Sequence, residues 1–422
     1  LATEKQLDRQ DLSAKMQEND MSETPTITVS TYEDAKDIYR QKGLRQALYD
    51  AGEIVMSGVL VNLHGDEHRS RRRLENRLFR RETLVRYERD YFPTIIDTTL
   101  KPYVQEGSAE LVDMSHQLMM NLAALNAGVD RPLGTPEETE RLYSYMMKFI
   151  EGATLAHTTR DPDEVKSEVT ASMTRFNTEF IAPSVERRQQ LLADVAAGRA
   201  DESTLPLDIL TVLLRNEDSL HIEHHTLVRE IAFFLLAGAH TSATAFVRTI
   251  DNLFTWLAAH PEDNELVHTN RAFVQHAVYE TIRLNPSSPI AMRRALEETT
   301  LRNGLVITEG SMVVIDLMAV NRDETIYGPT AGEFDPHRIP LDSTVSRWGL
   351  SFGSGMHACI GQELAAGLNE RSADTAEFEY GLSTVAVQSM FDRNVRPDPT
   401  HPPQMDTATS RPYWGSYSVL LG

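Results

Sequence analysis

Cysteine is almost missing from this chain of 422 residues, with Cys359 the only one. That excludes a small domain stapled by disulfides. Positive charge is scarce as well. Lys and Arg number 41 against 62 Asp and Glu, so the formal charge is 41 − 62 = −21, which argues against nucleic acid or an anionic membrane as a partner. No uninterrupted apolar run approaches the ~18 residues of a spanning helix, and residues 1–20 lack the apolar core of a signal peptide. The cytosol is the expected compartment. There is no internal repeat and no Gly- or Ser-rich linker to divide the chain. With 41% apolar and 24% charged residues it reads as one large soluble globular unit.

Helical periodicity dominates what is present. Residues 1–26 are charged and aperiodic and read as a poorly packed tail, leaving 27–422 as a single domain. A β-branched run over 26–29 precedes helices predicted over 32–41, 67–82, 86–100, 114–128 and 137–153. A pair follows over 163–197, broken near Pro183, then a short helix over 207–216 and a very long one over 222–260. One or two helices fill 264–284. Beyond Pro286 the pattern changes: 305–307 and 311–315 flank Thr308-Glu309-Gly310 and read as a β-hairpin. One more helix over 362–375 and a Pro-rich, strand-like end complete a mainly α chain with a small β-rich lobe.

The lone thiol could be a core filler, a nucleophile or a metal ligand, and its surroundings bear on the choice. It lies in Phe352-Gly353-Ser354-Gly355-Met356-His357-Ala358-Cys359-Ile360-Gly361. Glycines on both sides allow a tight turn with backbone amides aimed at the sulfur, which stabilises a thiolate and tunes its donation to a metal. A nucleophilic role would need a base, for which His357 is available, and a third orienting group, for which there is no obvious residue.

The pattern Phe352-x-x-Gly355-x-His357-x-Cys359-x-Gly361 resembles the haem-ligand loop of the cytochromes P-450, the haem-thiolate monooxygenases. The resemblance extends in order over 27–420 and implies the P-450 fold. It implies haem b (iron protoporphyrin IX), with Cys359 as axial iron ligand, Phe352 beside the haem over the sulfur, Gly353 in the same loop, and His357 reaching a propionate. His68, Arg72 and Arg293 are the further implied haem contacts, since buried carboxylates need charge-assisted donors. For Arg294 a solvated position is expected instead.

On the long helix, Ala237-Gly238-Ala239-His240-Thr241-Ser242 is similar to the family's oxygen-binding groove. Gly238 in mid-helix costs about 1 kcal/mol relative to Ala, offset either by close helix packing or by a ligand near the backbone. Thr241 can bond back to the Ala237 carbonyl and open the turn. The family has an acid where this chain has His240, so Thr241 and His240 are the implied catalytic pair, with His240 relaying protons in the acid's place or meeting the substrate. Phe233, Leu236 and Ala237, with Pro289, Ile290 and Ala291, are the implied substrate walls. Residues 50–63 and Tyr413-Trp414 are further candidates. Glu280, Arg283 and Arg338 match the family's buried Glu-Arg-Arg network, a structural device.

Seven arginines, at positions 69, 71, 72, 73, 77, 80 and 81, crowd into thirteen residues. Surrounding acidity and the lack of interleaved aromatics count against nucleic acid. The resemblance places this stretch on the haem's proximal side, where it suits docking of a separate acidic ferredoxin fed by an NAD(P)H-dependent reductase. The implied reaction inserts one atom of O2 into a hydrophobic small molecule. Two alternatives stay open: haem-thiolate chemistry without oxygenation or driven by peroxide, and a non-catalytic haem ligand binder. His221, His224 and His225 have no further ligand set, and Glu137, Glu138 and Glu140 read as a solvated helix start. After the loop, Leu364-Ala365-Ala366-Gly367-Leu368 departs from the family's usual Leu-Ala-Arg-x-Glu, and 369–379 is unusually polar.

Overall fold

Four strands build the largest sheet. They are β1 (Thr26–Val29), β2 (Leu44–Gln46), β3 (Ile290–Ala295) and β4 (Met312–Asp316), in the order β1–β4–β3–β2. β1 runs parallel to β4, and β3 is antiparallel to both its neighbours. The computed structural model of the chain describes residues 25–368 and 379–422. The tail expected over 1–26 therefore lies almost wholly outside the described residues, and its last member, Thr26, already pairs with Met312.

The strands expected around Thr308–Gly310 exist, but they do not form a hairpin. Val306–Ile307 pairs with Thr299–Thr300, whereas β4 joins β1 and β3. Gly310, at φ 81°, turns the chain from one sheet into the other. The longer partnership wins because it buries Val313 and Ile315 completely, an apolar gain that a two-residue ladder would forgo.

The helices that position the site are α1 (Tyr32–Arg40), α2 (Gly65–Glu75), α3 (Leu111–Ala127), α4 (Pro136–Ala153), α5 (His224–Ala259), α6 (Arg271–Leu284) and α7 (Leu382–Phe391). Thr31 caps α1, its hydroxyl accepting from the Asp34 amide at 3.4 Å. Thr135 caps α4, and Glu138 is not solvated as expected. It is 2% exposed and its carboxylate accepts from the amides of Leu133 and Gly134, satisfying backbone donors just ahead of the helix. The arginine-rich helix ends early at Glu75, and Asn76–Phe79 continues as a tighter turn. The pair expected over 163–197 is one helical run, Pro162 to Ala196, widened at Asn177–Ile181. Pro183 falls in the first turn after that widening, where its missing N–H matters least.

α5 is the axis of the molecule, and α3 lies along it. By length and composition α5 could cross a membrane, yet 78% of its most apolar window is buried in this fold. A Cβ on Gly238 would stand 3.1 Å from the Ala123 Cβ, so close helix packing offsets this glycine. α7 escapes a reading by periodicity because it has no polar stripe: Leu382, Ala386, Val387 and Met390 are all buried, and so are Ser383, Thr384 and Gln388. The helix expected over 362–375 is seen as Gln362–Ala366, and 369–378 lie outside the described residues.

Candidate active site

The Cys359 loop is held from three sides. Its own backbone closes it, with the Cys359 amide donating to the Phe352 carbonyl at 2.8 Å. Gly355, at φ 69°, has no room for a Cβ, which would collide with the Tyr39 carbonyl at the end of α1. From α2, Arg72 donates to the Ala358 carbonyl at 2.6 Å. Phe352 stands edge-on to Trp348 at 5.6 Å. Cys359 keeps accessible surface, yet burial is the first cause raising its thiol above the ordinary value, ahead of the Gly361 amide and Arg72, which lower it. The two observations agree if that surface faces an interior cleft rather than bulk water.

Beside the sulfur lies a cluster of guanidinium and imidazole groups, two of whose rings have no bond partner among the described residues. The His68 and His357 rings are 4.3 Å apart, and His64 stacks on His357 at 6.3 Å. Neither ring nitrogen of His68 or His357 has a hydrogen-bond partner. Burial drives the His68 imidazole down to about 4, with Arg72 adding to it, and His357 down to about 3, with His68 and Arg293 adding. Arg293 is 5% exposed, reaches Gln46 Oε1 at 2.6 Å and lies over the Tyr39 ring. Arg294 is half-buried and its guanidinium donates to the Gly310 carbonyl at 3.3 Å. Buried donors without acceptors are costly. A group bringing two carboxylates to this corner would satisfy them, so the residues present fit the propionates that the sequence resemblance implies.

Behind the loop, Glu280, Arg283 and Arg338 meet. Glu280 accepts two bonds from Arg283, at 2.6 and 2.7 Å, and one from Arg338 at 2.8 Å. Remaining guanidinium donors go to carbonyls of Asn321, Ala331, Tyr327 and Thr330. Asn321 then passes the constraint forward, its Oδ1 accepting from the Leu350 amide at 2.8 Å. The network thereby ties α6 to the start of the Cys359 loop.

On α5, Thr241 is exposed and its hydroxyl donates to the Ala237 carbonyl at 2.7 Å. His240 does not join it. Arg411 donates to His240 Nε2 at 3.3 Å, which leaves the proton on Nδ1, directed at His116 Nε2 at 3.4 Å. His116 Nδ1 in turn donates to the Val112 carbonyl at 3.0 Å. Burial lowers both imidazoles, His240 far below its ordinary value, so this chain of bonds is neutral beyond Arg411. His240 and His116 border a cavity of about 430 Å³ between α3, α4, α5 and the turn before Trp414. Its lining does not include Cys359, so on chemical grounds the Cys359 cleft, and not this cavity, is the candidate reaction centre.

Phe233, Ala237, Pro289, Ile290 and Ala291 are half-buried, as walls of a cleft would be, whereas Leu236 is buried in the core. Periodicity could have flagged His64, four residues before His68 and so on the same face. Nothing local could have flagged Arg411, Arg248 or His116, which the fold gathers from three distant segments.

A family model described as Cytochrome P450 matches residues 14–367. The chain is 24% identical over 364 residues to the cyclooctat-9-en-7-ol 5-monooxygenase of Streptomyces melanosporofaciens, covering 78% of this chain and 75% of that one. It is 25% identical over 351 residues to the pulcherriminic acid synthase of Bacillus subtilis strain 168, covering 80% and 78%. Among solved structures it resembles P450BioI in complex with an acylated acyl carrier protein, with TM-score 0.69, 18% identity and 94% and 92% of the two chains covered. Epothilone D-bound P450epoK matches equally, with TM-score 0.69, 18% identity and 93% and 90% covered.

Proposed function

The chain belongs to the cytochrome P450 family, whose cofactor is haem b, and from that premise we propose that it is a monooxygenase acting on a hydrophobic small molecule. The observation that carries the reading is the corner where Cys359, the unpartnered rings of His68 and His357, and Arg72 and Arg293 converge. When bound, the haem supplies activation of O2 at an iron centre, with a thiolate ligand favouring O–O cleavage. Cys359 is its ligand, and His68, His357, Arg72 and Arg293 hold its carboxylates. Burial raises the proton affinity of the sulfur, and the Gly361 amide and Arg72 oppose that rise in favour of the donating thiolate form. Thr241, its proton engaged at the Ala237 carbonyl, presents its oxygen lone pairs as acceptors on the cleft side. Phe233, Ala237, Ile290 and Ala291 exclude water from the substrate's path.

Electrons come from a separate ferredoxin and its NAD(P)H-dependent reductase. Arg69, Arg73, Arg77, Arg80 and Arg81 are exposed on and just after α2, and α2 supports the Cys359 loop through Arg72. A basic patch so placed on a chain of charge −21 suits an acidic carrier in the cytosol. His240 supports proton delivery only by rearranging, because both its nitrogens are engaged away from Thr241.

An optical titration of the haem-loaded ferric protein tests the reading. Hydrophobic compounds that displace iron-bound water shift the Soret band to high spin, and Cys359→Ser removes the thiolate signature of the reduced carbon monoxide complex. A Soret band that responds to no compound in a chemically broad panel, or a thiolate signature that survives Cys359→Ser, overturns it. Turnover that consumed no NAD(P)H with a ferredoxin pair, yet proceeded with peroxide or by dehydration, would favour the peroxide-driven or non-oxygenating alternative. One partial relative is in fact named a dehydratase, the indoleacetaldoxime dehydratase of Arabidopsis thaliana, 39% identical over 106 residues.

A further inference from the structure

Two arginines on or beside α5 are buried and form no ion pair among the described residues, although Asp251 acts on Arg248 electrostatically. Arg411 is 6% exposed and Arg248 8%. Arg248 spends its donors on backbone carbonyls, those of Asn285 at 3.1 Å and Pro412. Arg411 donates to the neutral His240, and its Nε has no acceptor at all. Both guanidiniums lie on the ring of Tyr413, 5.0 and 4.5 Å from its centroid. Burial holds that phenol protonated by pushing it above its ordinary value, so it brings no negative charge. Two desolvated cations side by side, unmatched by a carboxylate, are an expensive arrangement that an anion would relieve.

Both arginines line the cavity of about 430 Å³, within the range of small-molecule sites. Of the acids on its lining only Glu151 is ion-paired; Asp113 and Asp406 bond neutral donors, and neither bridges to Arg411 or Arg248 among the described residues. Asp113 accepts from the Tyr143 hydroxyl at 3.1 Å, and Glu151 is held by Arg160 at 2.7 Å and Lys148 at 3.2 Å. Asp406 accepts from the Ala408 amide at 2.8 Å. Val112, Met147, Ile150, Ala243 and Val247 supply an apolar wall, beside the polar Thr154, Thr158, Thr244 and Thr409 and the cations Lys148 and Arg160. The half-buried Tyr49 lies within electrostatic reach of both Arg411 and Cys359.

We infer that this cavity takes the carboxylate of an apolar organic acid. The carboxylate lies against the Arg411 guanidinium with Arg248 behind it, and the hydrocarbon body lies along Val112, Met147, Ile150 and Val247. A planar guanidinium with a free donor suits a carboxylate better than a spherical anion. The inference rests on the monooxygenase reading in one respect only, that this acid is the substrate.

Calorimetric titration of the haem-loaded protein with decanoate and with decanamide, at matched pH and ionic strength, tests it. The two probes share a body and differ in charge. Decanoate is expected to bind at least tenfold more tightly, and Arg411→Gln to reduce that preference below threefold while leaving decanamide unaffected. Equal affinities in the unaltered protein overturn the inference, as does a preference that survives Arg411→Gln. If that variant does not fold, Arg248→Gln serves in its place, with a smaller but measurable loss of preference expected and an unchanged preference overturning the inference. Binding heats do not depend on the thiolate. A missing thiolate signature would therefore sink the monooxygenase reading while leaving this test standing.

Discussion

Two buried ionic networks flank the reactive cleft, and their charge ratios are opposite. Behind the Cys359 loop one carboxylate, Glu280, serves two guanidiniums, those of Arg283 and Arg338. Beneath α2 one guanidinium, Arg71, serves two carboxylates, Glu75 and Glu230. The first is saturated, because its surplus donors end on backbone carbonyls. The second is not, since Glu75 Oε2 has no partner. Guanidinium keeps its charge at any ordinary pH, whereas a carboxylate in excess can take up a proton. Burial raises both acids, Glu230 to about 7 and Glu75 well above its ordinary value with Glu230 adding to the rise. The proton belongs on Glu75, because Glu230 is the one that also accepts from the Leu60 amide. The second network is thus built to respond to pH.

Removing the minority partner from each network gives the largest effects and the sharpest contrast. Glu280→Ala leaves two buried cations that cannot neutralise themselves, so it is expected to lose about 3–5 kcal/mol of stability. That loss should be the same at pH 5.5 and pH 8 in denaturant unfolding. Arg71→Leu leaves two carboxyls that can protonate. Its loss should be about 3 kcal/mol at pH 8 and smaller by about 1–2 kcal/mol at pH 5.5. A pH-dependent Glu280→Ala or a pH-independent Arg71→Leu would erase the distinction.

A subtler change isolates the surplus acid. Because the folded-state pKa values of Glu75 and Glu230 are raised, the folded protein binds more protons than the unfolded chain. The stability linked to this pair is present in full below the unfolded value, about 4.3, and is lost as pH rises through about 7. Glu75→Gln fixes the neutral form. It is expected to gain about 1 kcal/mol at pH 8 and nothing at pH 5, read as the difference from the unaltered protein so that buried histidines, which titrate in the opposite sense, cancel.

The two networks also differ in how far the sequence discloses them. Glu280 and Arg283 stand three apart on one helix, and Arg338 follows Phe334-Asp335-Pro336-His337, so a familiar local pattern points to the set. Arg71 and Glu75 are equally local, but Glu230 lies 159 residues from Arg71, and nothing in its surroundings says that it is buried. The same rule governs the site. The Cys359 loop was legible because its glycines and its histidine are contiguous, and its geometry is enforced by positions that tolerate no side chain. The Arg411–His240–His116 chain was not, because Arg411 and His116 carry no local signal and join His240 only after α3, α5 and the C-terminal turn have packed. The helices were legible wherever one face stayed wet, and α7 was not because it has no such face. Sheet partners were the least legible, as β4 showed by choosing β1 and β3 over a neighbour four residues away, since that choice is made by burial and not by local pattern.

The smallest effect is expected where α5 meets α3. Gly238→Ala recovers about 1 kcal/mol of helix propensity, and the new methyl meets the Ala123 Cβ at 3.1 Å, closer than comfortable contact and shorter than the 3.5–4.0 Å optimum for carbon pairs. The two terms oppose each other and are of similar size, so the unfolding free energy should change by less than about 1 kcal/mol in either direction. The neighbouring backbone is what sharpens this test, because Thr241 bonds to the Ala237 carbonyl through the same turn. If packing alone explains the glycine, Gly238→Ala leaves the ligand-induced Soret shift of the haem-loaded protein intact. A variant of unchanged stability that no longer shows that shift would mean the bare backbone at Gly238 serves a ligand as well as a neighbour, and that this side of the cleft is as finely constrained as the Cys359 loop opposite.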